Sequence, residues 1–297
     1  MQEFLHLFSY DFVRNAYLAG TLVALVAAVM GYFVVLRAQA FASEAMSDIG
    51  LAGAAGAAVL GVGSLPGMFC LTILAALGMG ALGERLRGRD VEIGMVLSFA
   101  LGLGVLFLTI YSQFGSNATT GVNVLFGSIL SVTHSDVLIT LCTGGVTLLL
   151  IALLFRPLLF ASIDPEVAQT RGVPVRLLSM LFLVLLAITT AEAVLVVGAL
   201  LVLALLVAPA ATAQRLTHRP LTSLLLSVGL GLLIIWGGLT LAFVGPGRHL
   251  PIGFFIATLA ALFYFLSLPL KRLRSPRRQN VQSHSCNEYS SMSGRGH

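Results

Sequence analysis

The chain has 297 residues, of which 58% are hydrophobic and only 10% are charged. Soluble globular domains have about 25% charged residues, so this composition excludes a water-soluble fold. The net charge of +5 does not indicate a nucleic-acid partner, because the basic residues lie at the ends of apolar runs, as they do in membrane proteins.

Apolar runs bounded by charged residues, proline or glycine follow one another along almost the whole sequence. A membrane-spanning helix needs about 20 apolar residues, so the runs predict an all-α, polytopic transmembrane helical bundle at residues 1–270. The predicted spans lie near residues 16–36, 49–64, 65–82, 93–111, 136–155, 177–197, 198–213, 221–243 and 250–269. They number nine, or eight if residues 177–213 form one broken unit.

Positive charge orients these spans, since Lys and Arg accumulate in cytoplasmic loops. With the N-terminus outside, only Arg14 and Arg248 are external, so fifteen of the seventeen basic residues (17 − 2) are cytoplasmic. The nine-span arrangement therefore has its N-terminus outside, and an eight-span arrangement has it inside. The first residues lack a small-residue cleavage site, so the first span is expected to remain in the protein.

The second and seventh predicted spans are short and contain clusters of small residues, at positions 50–56 and 208–211. Small side chains let helix backbones approach closely within a membrane. Each of these two spans is therefore expected to be either a tightly packed interior helix or a broken helix.

Three acidic residues lie in or beside apolar runs, where an ionised group costs at least about 2.5–3.5 kcal/mol. Glu44 and Asp48 are four positions apart, so a helix would carry both on one face, where they repel and favour a shared proton or a bound cation. A solvated loop before the second span is the alternative. Glu192 has apolar residues on both sides; it faces a translocation path or lies near the outer end of its helix, where water reaches it.

His134 follows an apolar segment at residues 123–130 that is too short to span. This histidine is a candidate for receiving a delivered metal, and an interfacial histidine is the alternative. Cys70, Cys142 and Cys286 show no paired spacing and are expected to be inert thiols, in neither a disulfide nor a metal site.

A short cytoplasmic helix is predicted directly after the fifth span. Asp164 is suited to cap it, Pro165 to occupy its first position and Glu166 its first turn, while Gly172 ends it shortly after Arg171. The tail at residues 271–297 is basic, then polar, and is expected to be disordered in the cytoplasm.

The sequence contains no Gly-x-x-x-x-Gly-Lys-[Ser/Thr] phosphate loop, so the chain is not its own ATPase. It also lacks a recognisable grouping of nucleophile, base and orienting residue. These observations favour a carrier, channel or scaffold over a membrane enzyme.

Several segments resemble the permeases of the zinc and manganese ABC importers. The first is VVLRAQAFASEAMSD at residues 34–48, and it is followed in the same order by segments at 85–94, 125–130, 162–168, 197–202 and 208–210. The resemblance covers residues 15–270. It implies a multi-pass permease in a bacterial-type inner (cell) membrane that imports zinc or manganese, with no permanently bound cofactor.

The same resemblance implies partners and residue roles. The family's importers contain two permeases, here expected to be two copies of this chain, with two cytoplasmic ATP-binding subunits and an extracytoplasmic metal-binding protein. Glu44 and Asp48 match the family's Asp and His, and a pair of carboxylates suits manganese better than a pair with an imidazole. Residues 164–172 match the segment that docks on the ATPase; a mere connector is the alternative. A permease for iron chelates or cobalamin, or a non-transporting scaffold, remain rival functions.

Overall fold

A computed structural model describes residues 11–82, 89–114, 132–217, 219–244 and 252–274. These residues form ten helices and, in the same ranges, no strand. The predicted all-α class is confirmed. The helices are α1 (Asp11–Leu36), α2 (Ala40–Val59), α3 (Ser64–Leu82), α4 (Arg89–Phe114), α5 (His134–Ile163), α6 (Pro165–Thr170), α7 (Val175–Val197), α8 (Ala199–Leu216), α9 (Pro220–Val244) and α10 (Ile252–Arg274).

Six of the described helices are long and apolar enough to cross a membrane, namely α1, α3, α5, α7, α9 and α10. Helices α4 and α8 contain shorter apolar stretches, Gly94–Phe107 and Leu201–Leu216, and α2 carries two acids among glycines and alanines. The predicted count of eight or nine spans is therefore not confirmed, although each of the nine predicted runs overlaps one long helix. Apolar runs alone do not distinguish spans from shorter, buried helices.

Helix α1 lies at the centre of the bundle, packed against α5, α7, α8 and α9. Its Phe33 side chain is fully buried and meets the rings of Tyr32 and Phe155 edge to face, at centroid distances of 5.3 and 5.7 Å. At Gly31 the backbone approaches α8 so closely that an added Cβ would clash with the Leu206 carbonyl. This contact requires glycine at position 31.

Both spans rich in small residues are continuous interior helices, α2 and α8, rather than broken ones. Helix α8 continues through Pro209. The break in the chain lies just before α8, at Gly198, whose φ of 98° ends α7 and starts α8 without an intervening loop. A residue with a side chain adopts this φ only with strain.

The C-terminal ends of α1 and α8 lie at one end of the bundle, because the Gln214 side-chain amide donates to the Tyr32 carbonyl at 2.8 Å. Arg37, at this end of α1, contacts Ser162 next to α6. Arg215, which follows Gln214 directly, therefore lies at the same end of the bundle as Arg37. The assignment of this end of the bundle to the cytoplasmic side stays a prediction.

Candidate functional site

Helix α2 carries Glu44 and Asp48 inside the bundle, where α3, α4, α7 and α8 surround it. Small residues permit this packing: a Cβ added to Gly53 would lie 2.5 Å from the Gly67 carbonyl oxygen of α3. The alternative of a solvated loop at Glu44 and Asp48 is wrong, since both residues belong to a packed helix.

Glu44 and Asp48 lie four positions apart on α2, so the helix carries both carboxylates on one face, where like charges repel. Asp48 is only 7% exposed, and the Oε2 atom of Glu44 is buried without a hydrogen-bond partner among the described residues. The nearby Ser47 hydroxyl donates its hydrogen to the Ala199 carbonyl at 3.0 Å, so it does not donate to either carboxylate. Within the described ranges, no basic side chain forms an ion pair with either carboxylate.

This arrangement has a chemical consequence, because two adjacent carboxylates removed from water without a counter-charge are unfavourable. A shared proton relieves the repulsion, and so does a cation held between the two groups. Carboxylate oxygens are hard donors that suit manganese and magnesium better than soft metals. The pair is thus suited to transient binding of a divalent cation.

Glu192 lies on α7 and is 2% exposed, so its alternative placement at a water-exposed outer end of the helix is wrong. Its Oε2 atom lies 3.5 Å from the position that a Cβ on Gly144 of α5 would occupy. A side-chain carbon of Val26, on α1, lies 3.0 Å from the same position. Neither carboxylate oxygen has a hydrogen-bond partner in the described part of the chain, and the Thr143 hydroxyl of α5 donates instead to the Ile139 carbonyl at 2.7 Å.

Two residues that the sequence reasoning missed belong to the same surface of α5. Thr140 and Thr147 are each 1% exposed, and their hydroxyl oxygens have no partner among the described residues. Together with Gly144 they occupy one face of α5 at helical spacing, which is the face that meets α1 and α7. The sequence pattern that indicates this surface is two threonines at helical spacing on either side of a glycine.

The predicted metal residues do not form one cluster. In the described ranges, no three His, Cys, Asp or Glu side chains lie close enough together to hold a metal ion. Glu44 and Asp48 form a pair on α2, while Glu192 contacts α5. His134 is exposed at the start of α5, beside a capping box in which Thr133 and Asp136 bond reciprocally. Whether this histidine receives the metal or only lies at the membrane interface stays a prediction.

The N-terminal end of α6 has the capping that the sequence predicts. The Asp164 carboxylate accepts a hydrogen bond from the Val167 backbone N–H at 3.0 Å, Pro165 is the first helical residue, and Glu166 lies in the first turn. A carboxylate also interacts favourably with the positive end of the helix dipole. The short helix is confirmed.

The C-terminal end of α6 is equally complete. Gly172 has a φ of 81°, the Val173 N–H donates to the Ala168 carbonyl at 3.1 Å, and the Gly172 N–H donates to the Gln169 carbonyl at 3.1 Å. This pair of bonds is a Schellman motif. Ala168 is fully buried and anchors the helix, whereas Arg171 is exposed. The charged residues of α6 are therefore accessible to a partner.

Other predictions fall partly or wholly outside the described residues. Cys70 and Cys142 are free cysteines, and both are exposed. The apolar segment at 123–130, the basic turn at 85–88 and the tail beyond residue 274, with Cys286, lie outside the described ranges.

Comparisons with known proteins agree with one another. A model of the ABC 3 transport family matches residues 9–271. The manganese import system permease protein ScaB of Streptococcus parasanguinis is 32% identical over 276 residues, covering 93% of this chain and 96% of the relative. The manganese transport system membrane protein MntC of Halalkalibacterium halodurans is 33% identical over 266 residues, covering 88% and 89%. The solved structure of PsaBC from Streptococcus pneumoniae in complex with Fab superimposes with a TM-score of 0.80, at 29% identity over 95% of this chain and 99% of that one.

Proposed function

Because the chain belongs to the ABC 3 transport family, we propose that it is the permease subunit of an ATP-driven importer for a divalent transition metal, with manganese as the leading substrate. It is a multi-pass membrane protein of the cell membrane. The observation that carries the proposal is the match along nearly the whole chain to relatives named as manganese permeases.

The chemistry of the interior acids supports manganese over zinc. The pair on α2 offers only carboxylate oxygens, and manganese accepts such hard donors readily, while zinc favours sites that include imidazole or thiolate. Zinc stays the second substrate to test. The metal is cargo in this proposal, bound transiently as substrate and not held as a cofactor.

The proposed path of the ion contains Glu44 and Asp48 as its central binding pair. Glu192 is proposed as a second binding position along the path. Its burial and its two carboxylate oxygens without a hydrogen-bond partner in the described residues support this role. His134, exposed at the start of α5, is proposed to meet the metal as it arrives. Acids inside a membrane bundle mark ion pathways more often than they serve the fold.

Energy for transport is proposed to come from a separate cytoplasmic ATP-binding subunit that docks on α6 through Asp164, Pro165, Glu166, Arg171 and Gly172. The caps at both ends support this role, since a docking helix must keep its shape while the ATPase moves it. An extracytoplasmic metal-binding protein and a second copy of the chain complete the proposed importer.

Metal accumulation in cells tests the proposal. Cells that express the permease with its ATPase are loaded with manganese, zinc or iron in parallel, and cell-associated metal is measured against cells with the ATPase alone. We expect manganese to accumulate most. Equal accumulation with and without the permease, for all three metals, contradicts the proposed function.

A further inference from the structure

We propose that Arg37 is a positioning residue that transmits movement of α6 to the acidic pair on α2. The inference rests on the proposed function, since it assumes that α6 receives the ATPase. It adds a residue that lies between the proposed docking helix and the proposed ion pair and that determines whether ATP hydrolysis produces transport.

The Arg37 side chain joins three helices at the end of the bundle that carries α6. Its Nε donates to the Ser162 hydroxyl of α5 at 2.7 Å, and its Nη1 donates to the Ser179 hydroxyl of α7 at 3.4 Å. The guanidinium carbon lies 4.8 Å from the centroid of the Phe182 ring of α7. Arg37 itself directly follows the last residue of α1.

Ser162 connects this contact to α6. It lies two residues before Asp164, which ends α5 and caps α6 at once: the Asp164 N–H donates to the Phe160 carbonyl at 3.1 Å, while its carboxylate accepts from Val167. The Ser162 hydroxyl donates to the Leu158 carbonyl, so its lone pairs face Arg37. A displacement of α6 therefore moves the group that Arg37 holds.

On its other side, Arg37 adjoins the start of α2 through a short, hydrogen-bonded turn. The Arg37 N–H donates to the Phe33 carbonyl and the Gln39 N–H to the Val34 carbonyl, both at 2.9 Å. Ala38 between them has a φ of 53°, a conformation that side chains rarely adopt. Two hydrogen bonds close this turn and α2 starts at Ala40, so a displacement of Arg37 is passed to Glu44 within about one helical turn.

The contacts require a guanidinium. Arginine presents several N–H donors in a fixed plane that can bond two hydroxyls and stack on a ring, whereas the lysine ammonium is a point charge without a plane. Arg37→Lys thus keeps the positive charge and removes the bridge. Arg215 offers a matched control at the same end of the bundle. It donates to the Tyr264 hydroxyl at 2.8 Å, and its guanidinium carbon lies 4.8 Å from the centroid of that ring, so both contacts lead to α10.

The experiment compares Arg37→Lys with Arg215→Lys in the complete permease–ATPase complex, reconstituted in liposomes. Co-purification of the ATPase, ATP hydrolysis and manganese taken up per ATP are measured. For Arg37→Lys we expect normal co-purification and a fall in manganese per ATP of about tenfold, the size expected from losing a hydrogen bond to a charged group. For Arg215→Lys we expect no change in that ratio.

Ser162→Ala and Ser162→Thr keep the test decisive if Arg37→Lys folds poorly. The alanine variant removes the 2.7 Å contact and is expected to lower manganese per ATP, while the threonine variant keeps a hydroxyl and is expected to restore it. An unchanged ratio in both Arg37→Lys and Ser162→Ala, or an equal loss in Arg215→Lys, overturns the role of Arg37. A wild-type complex that does not transport manganese overturns the proposed function instead, and the inference with it.

Discussion

Helices α2 and α6 carry the two halves of the proposed function, and they are stabilised in opposite ways. Helix α2 is buried among four neighbours, and its carboxylate groups lack basic partners in the described residues. Helix α6 is exposed, only six residues long, and has its end groups satisfied by its own side chains and turns. Helix α2 therefore depends on distant parts of the chain for its shape, whereas α6 depends on about ten consecutive residues.

This contrast separates two kinds of sensitivity. Removing charge from α2 should stop transport without changing the fold, and adding volume to α2 should damage the fold. Changes in α6 should leave both the fold and the ion site intact and affect only the partnership with the ATPase. Four predictions follow this order of expected effect.

The largest effect is expected from the double variant Glu44→Gln with Asp48→Asn, which preserves size and removes both charges. Manganese uptake should fall to the level of cells without the permease, because neutral amides do not compensate a divalent cation. Asp11→Asn is the control, since that acid is exposed and pairs with Arg14 at 3.2 Å. Uptake at the wild-type rate in the double variant contradicts the assignment of the ion pair.

The second effect concerns the close contact between α2 and α3. Gly53→Val places a side chain against the Gly67 backbone and should destabilise the protein by about 1–3 kcal/mol, the usual cost of overpacking. The thermal unfolding midpoint in detergent measures this change. Gly78→Ala on α3 is the matched control, because a Cβ there has nothing within 4 Å. Equal midpoints for the two variants would show that the contact is looser than described.

The third effect tests Glu192 separately from the pair on α2. Glu192→Gln keeps the shape beside Gly144, so the amount of folded protein should be unchanged. Manganese uptake should fall about tenfold, corresponding to roughly 1.4 kcal/mol in the barrier for ion passage. If uptake is unaffected while the protein is present at wild-type levels, Glu192 does not belong to the ion path.

The smallest effect on the permease itself is expected in α6. Asp164→Ala removes the cap and should cost about 0.5–2 kcal/mol of local helix stability. Reversing Glu166 and Arg171 in addition should reduce ATPase co-purification and stimulated hydrolysis, with membrane insertion intact. Normal values of both in the triple variant would move the docking role to another cytoplasmic segment, such as the turn around residues 85–90 or 215–219.

The same contrast explains what the sequence could predict. Each end of α6 follows from a cap, a proline or a glycine within a few positions, so local rules located it correctly. The shared helical face of Glu44 and Asp48 also follows from spacing. Their burial, and the separation of Glu192 from them, depend on how α2, α5 and α7 pack, which no local pattern contains. The span count depends on packing in the same way, since buried helices such as α2 and α8 resemble spans in composition.

The most direct test of the account is ATP-dependent manganese uptake into liposomes that contain the permease and its ATPase, with the metal-binding protein outside. The account predicts that manganese enters only when ATP is supplied to the ATPase, and that the double variant Glu44→Gln with Asp48→Asn abolishes entry while the ATPase still co-purifies. Uptake that proceeds without ATP, or that survives in the double variant, would contradict it.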